Sequence, residues 1–186
     1  MPDLLVVLGS ATPPGRLHAL ATAGIAAASR PATLLDLAQV RVGPPDGRAL
    51  AARSDDTANV IERIAASPGV VFVTPVYRGS FTGTLKNLLD LVPVEALRMK
   101  PVGILAMGAS QHHYLGADRH LRDVLAFFGA VVAPVSVYVD SSSFADGVPD
   151  SRAIAEVVSL LAQIGALADS LASVPAGPVP LAAGRA

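Results

Sequence analysis

Five apolar, β-branched runs alternate with helical stretches along the chain, and this alternation limits the possible folds more than any other feature. Residues 4–8, 32–36, 70–74, 102–107 and 131–139 read as strands. Most are nearly continuous in Val, Leu, Ile and Phe, the mark of strands covered on both faces. Residues 16–29 have helical composition, with Leu17, Leu20, Ala21 and Gly24 near one face. Ser54 or Asp55 can cap a helix to about residue 66, with Val60, Ile61 and Ile64 turned inward. Thr82 or Gly83 opens a third helix to about residue 91. A fourth, 115–128, is stopped by Gly129, and a long amphipathic one covers 151–171. Residues 37–53, with Gly43-Pro44-Pro45-Asp46-Gly47, and residues 140–150 read as loops.

This order predicts one α/β domain over residues 1–171. It is expected to be a three-layer sandwich around a five-stranded parallel sheet, in the doubly wound, flavodoxin-like order 2-1-3-4-5. The tail, 172–186, with Pro175, Pro178 and Pro180, is expected to be disordered. In this topology the winding reverses between strands one and three, and ligands sit outside the carboxyl ends of the strands there. The loops that matter are therefore 9–16, 75–83 and 108–114.

Composition narrows the chemistry. There is no cysteine, which excludes disulfides and thiolate catalysis and fits a reducing cytoplasm. With 14 basic and 15 acidic residues and no basic stripe, neither nucleic acid nor an anionic membrane surface is an expected partner. The apolar uncharged run 124–139 is broken by Gly129 and Pro134 and is too short to span a bilayer comfortably. Mean hydropathy is +0.51, consistent with surface hidden in an oligomer and equally with an Ala- and Val-rich background.

The first loop, Gly9-Ser10-Ala11-Thr12-Pro13-Pro14-Gly15-Arg16, lies between a strand and a helix. A helix N-terminus, two hydroxyls and a guanidinium suit a phosphate. The loop is neither a dinucleotide-binding G-x-G-x-x-G nor a nucleotide-hydrolysing G-x-x-x-x-G-K-[ST]. An ordinary tight turn would look the same. In the second loop Tyr77 and Phe81 could wall a flat heterocycle or plug the core, Phe81 especially. In the third, Gly108-Ala109-Ser110 lets backbone approach a planar ligand. His112 and His113 are adjacent and diverge, so no metal site is expected. Ser110 lacks the G-x-S-x-G elbow of a hydrolase.

The segment Thr74-Pro75-Val76-Tyr77-Arg78-Gly79-Ser80-Phe81-Thr82-Gly83-Thr84-Leu85-Lys86 resembles the Pro-Val-Tyr-x-x-Ser-x-x-Gly-x-x-Lys signature of NAD(P)H-dependent FMN reductases. The likeness is greatest to the flavin reductases of bacterial alkanesulfonate and methanesulfonate monooxygenase systems. Gly108-Ala109-Ser110 with His113, the trio Asp118, Leu121 and Arg122, and Phe144-Ala145-Asp146 extend it over residues 4–171. The resemblance implies FMN at the switch point and hydride transfer from NADPH or NADH. It also implies a flavin-dependent monooxygenase that receives reduced FMN, and a homodimer or homotetramer. Ser10, Thr12 and Arg16 would hold the flavin phosphate. Pro75, Val76, Tyr77 and Arg78 would line the ring and ribityl region, with Ser80 nearby, and Gly108, Ala109 and Ser110 would meet the pyrimidine side. Arg78 is also a candidate for the nicotinamide cofactor's phosphates. No side chain need act as acid or base, so no catalytic residue is singled out.

Two departures stand out. Gly15-Arg16-Leu17 replaces the family's Ser-Arg-[Ser/Thr], removing two hydroxyl donors and favouring flavin as a travelling substrate. Ala109 replaces the central Gly of Gly-Gly-Ser. A quinone or azo reductase of the same fold, a one-electron flavin carrier and a non-catalytic flavin-binding scaffold remain alternatives. Carriers tend to be strongly acidic, whereas this chain carries −1.

Overall fold

The structure, a computed structural model, describes residues 2–178. Strands β1 (Leu4–Leu8), β2 (Ala32–Asp36), β3 (Val70–Pro75) and β4 (Pro101–Met107) pair in parallel. The sheet runs β2-β1-β3-β4-β5, the doubly wound order expected from the alternation. Its last member is not one strand over 131–139. It is split into β5 (Val131–Val132) and β6 (Val137–Val139), both paired with β4. Pro134 explains the break, because it has no N–H to give the ladder.

The strand residues divide between two cores by their two-residue period. Leu5, Val7, Val70, Phe72, Val102 and Ile104 face helices α2 (Thr57–Ala66), α3 (Gly83–Leu89), α4 (Val94–Leu97) and α5 (Tyr114–Phe128). Leu4, Val6, Leu8, Val71, Val73 and Leu105 face α1 (Arg16–Ala27) and α6 (Ser151–Leu171). The one-turn α4 lies beyond the predicted third helix.

Two glycines set how close the α1–α6 layer sits. A Cβ on Gly24 of α1 would lie 2.3 Å from a Val157 methyl of α6. A Cβ on Gly103 of β4 would meet Leu160 at 3.1 Å. Helix α6 is long and apolar enough to cross a membrane by length and composition, but Val157, Leu160, Leu161 and Ile164 are buried on the sheet. Helix α2 ends under Lys100, whose Nζ donates to the carbonyls of Ile64, Ala65 and Ser67. Burial lowers that ammonium to a pKa of about 8.

The expected loop 140–150 contains a short hairpin, β7 (Phe144–Ala145) with β8 (Val148–Pro149), lying against α1. Of the tail expected to be disordered, residues 172–178 are described, and Arg98 Nη2 donates to the carbonyls of Ala176, Gly177 and Pro178. Residues 179–186 lie outside the described residues.

Candidate functional site

The carboxyl ends of β1, β3 and β4 open onto a cleft of about 360 Å³. This falls within the usual size range of small-molecule sites. Its walls include Ser10, Thr12, Arg16, Pro75, Val76, Tyr77, Gly108 and Ala109. Three separate stretches of sequence thus converge because parallel pairing brings the ends of β1, β3 and β4 side by side.

One end of the cleft gathers donors whose chemistry suits an anion. Gly15 is the N-cap of α1 and offers no side-chain cap. The first helical bond runs from Ala19 N to Gly15 O at 2.9 Å, so among the described residues the N–H groups of Arg16, Leu17 and His18 have no carbonyl partner. Ser10 Oγ lies 2.8 Å from Thr12 Oγ1 and accepts from the Thr12 N–H, which fixes both hydroxyls. The Arg16 guanidinium sits 5.6 Å from the centre of the Phe144 ring, braced by the hairpin after β6.

The other end is flat and lightly furnished. Tyr77 is 50% exposed, so it does not plug the core. Phe81 does pack against the core cluster beneath α3. The loop around Tyr77 is anchored from below. The Thr82 hydroxyl donates to Gly9 O and accepts from Leu85 N, tying the second loop to the first while capping α3. Gly9 must lack a side chain, since a Cβ there would fall 2.7 Å from Leu85 Cβ.

In the third loop, the Gly108 N–H donates to Val139 O at 3.1 Å. Among the described residues no protein acceptor takes the N–H of the exposed Ala109. A Cβ at Gly108 would lie 1.9 Å from Tyr138 Oη, whose hydroxyl donates to Ser110 O at 2.6 Å. Burial, helped by the Asp140 charge, raises the Tyr138 pKa and keeps this hydroxyl a donor. The Ser142 hydroxyl and amide hold the Asp140 carboxyl below its ordinary value.

Three predicted residues lie outside the cleft lining. Arg78 occupies a turn with φ +53°. Ser80 turns its hydroxyl to His120. Ser110 uses its carbonyl on Tyr138 and its hydroxyl on His113. Asp118 and Arg122 pair with each other at 2.9 Å on α5 and do not reach the cleft lining.

The walls also hold residues that were not singled out, among them His18, Met107 and Ser141. His18 could have been found from its place in the first turn after the loop. Ser141 could have been found from its place just past the carboxyl end of the last strand.

A neighbouring recess of about 470 Å³ is larger. Its lining carries Asp140, Asp150 and Glu156 against one cation, Arg152, which pairs with Glu156 at 3.0 Å, so the balance of charge disfavours an anion. Two of these carboxylates already accept from backbone, at Ser142 and Ala153. Its chemistry is therefore that of a solvated rim, and the smaller cleft is the better site.

Residues 2–144 match the family model for NADPH-dependent FMN reductase. An NAD(P)H-dependent FAD/FMN reductase of Geobacillus thermodenitrificans is 42% identical over 111 residues, covering 60% of each chain. The NADH-dependent FMN reductase SfnF of Pseudomonas putida is 33% identical over 146 residues, covering 76% of this chain and 78% of that protein. Several other matched stretches are shorter, spanning about half of the relatives' length (46% and 50% for two). Among solved structures, the apo form of the NADH:FMN oxidoreductase EmoB superposes with a TM-score of 0.72 at 23% identity, covering 97% of this chain and 98% of that one. A flavodoxin, WrbA-like protein from Agrobacterium tumefaciens gives 0.63 at 15%, covering 91% and 99%. These last two likenesses concern the fold.

Proposed function

The chain belongs to the NADPH-dependent FMN reductase family, and from that premise we propose that it oxidises NADPH or NADH and passes the hydride to FMN. The observation that carries this reading is the cleft at the switch point, with an uncapped helix N-terminus at one end and a half-exposed tyrosine at the other. The residues present fit FMN. The free N–H groups of α1, the Ser10 and Thr12 hydroxyls and Arg16 would take the phosphate. Tyr77, Pro75 and Val76 would pack against the ring. The Ala109 N–H would meet its polar edge and favour the extra negative charge of the reduced form.

FMN, when bound, supplies the hydride-accepting ring. The protein's share is to hold the two rings in contact and to exclude water, which makes the step effectively unimolecular. The reading assigns no side chain the role of acid or base.

The reduced flavin is proposed to pass to a flavin-dependent monooxygenase in the cytoplasm. Gly15 and Leu17 lack the hydroxyls that would anchor the phosphate more firmly, which suits a flavin that leaves. A homodimer or homotetramer is part of the same reading, and exposed Leu115 and Phe127 on α5 support it. The test is steady-state oxidation of NADH and NADPH with FMN, FAD and riboflavin offered in turn, alongside sedimentation velocity. Turnover with FMN is expected. No flavin-dependent oxidation of either nucleotide would overturn the reading.

A further inference from the structure

Tyr77-Arg78-Gly79-Ser80 is a two-residue hairpin. Arg78 and Gly79 both adopt left-handed backbone, φ +53° and +77°, as the tightest hairpin turns require. Two backbone bonds close it, Tyr77 N to Ser80 O at 2.9 Å and Ser80 N to Tyr77 O at 3.1 Å. A single bridge of this kind is marginal alone in water and takes its orientation from what it touches.

What it touches is the first half of α5. A Cβ on Gly116 would lie 2.4 Å from Gly79 O, so helix and hairpin backbones meet at a point that admits only glycine. One turn further along α5, His120 Nδ1 lies 2.9 Å from Ser80 Oγ. Residues four apart share a helix face, so Gly116 and His120 form one docking edge. Ser80, meanwhile, is absent from the cleft wall, whereas Tyr77, at the hairpin's other foot, is part of it.

We propose that His120 is a positioning residue that, through Ser80 and beside Gly116, latches the Tyr77–Ser80 hairpin at the angle that presents Tyr77 to the cleft. The proposal rests on the flavin reading of that cleft for its consequence, and on the contacts alone for the latch. Ser80 then acts by holding the hairpin from behind. The contact is exposed, so water competes for it and its value lies in direction. It also survives protonation. A bare Nδ1 accepts from the Ser80 hydroxyl, and a protonated Nδ1 donates to it.

The experiment uses His120→Ala, Ser80→Ala, the double variant and His120→Asn, whose amide can occupy the position of Nδ1. Residue-resolved amide exchange at Tyr77 and Ser80 is measured in flavin-free protein, with FMN affinity and flavin-free melting temperature on the same samples. Each alanine variant is expected to speed exchange at both amides. Each is expected to weaken FMN binding roughly two- to tenfold, the range of one net hydrogen bond. The double variant should be no worse than either single one, His120→Asn should stay near wild type, and melting should hardly move. Losses that multiply in the double variant, or a lower melting temperature with unchanged exchange, would overturn the latch. If wild-type protein binds no FMN, the functional reading fails by itself, and the exchange measurements still decide whether the latch exists.

Discussion

Tyr77 and Arg16 divide the candidate site between ring and phosphate, and each can be tested alone. Tyr77 is half exposed and belongs to no core cluster. Tyr77→Ala should therefore leave the flavin-free melting temperature within a few degrees of wild type while weakening FMN affinity. A buried aromatic would behave the other way, costing roughly 3–5 kcal/mol of stability on truncation. Melting and affinity measured on one preparation separate the two. Arg16→Ala removes a charge-assisted contact worth about 1.5 kcal/mol at the exposed end of the usual range, or about tenfold in affinity. The loss should appear with FMN and be nearly absent with riboflavin, which has no phosphate. Equal loss with both flavins would mean that Arg16 braces the Phe144 hairpin instead. The residue types needed at both ends were legible in the loops. Which of them face the cleft was not. Ser80, Ser110 and Tyr77 stand in similar Gly- and Ser-rich stretches, and their side-chain partners distinguish them: the Ser80 hydroxyl meets His120, the Ser110 hydroxyl meets His113, and among the described residues the Tyr77 hydroxyl meets no protein group.

The elements were legible wherever local chemistry decides them. Gly129, with φ +67°, ends α5 as a left-handed C-cap, and Thr82 caps α3 with its hydroxyl. The break at Pro134 was harder to see, because the apolar run continues through it and hydrophobic pattern alone reads one strand. Close approach between elements was hidden altogether, since it depends on which glycine meets which side chain across the fold. Gly24 against Val157 is the sharpest case. Gly24→Ala should force α1 and α6 apart and cost about 1–3 kcal/mol, the usual penalty for overpacking. Adding Val157→Ala should return part of that loss by making room. Urea unfolding of the two singles and the double checks this, and strictly additive losses would contradict the packing.

At the scale of the whole molecule, stability should carry the mark of Lys100, which joins the end of α2 to the start of β4. Its ammonium is pushed down from 10.5 to about 8, through burial. Below about pH 8 the group is charged in folded and unfolded chain alike, and the burial cost is present in full. Between about 8 and 10.5 the unfolded chain binds more protons, so this group's contribution to stability rises with pH. Above 10.5 both forms are neutral and the cost is gone. Lys100→Met removes the dependence, so the wild-type curve of unfolding free energy against pH should climb relative to the variant's across that window. Parallel curves would show that the three carbonyl acceptors offset the burial. The sequence by itself determined the layered α/β architecture and the strand order. Buried strands and capped helices are written in short-range patterns, and the right-handed crossover between parallel strands leaves few ways to connect them. It also determined that three loops would meet at the carboxyl ends of the strands. Only the tertiary structure decided which donors remain free there, because a free N–H is defined by the absence of a partner, and partners such as Val139 for Gly108 come from distant parts of the chain.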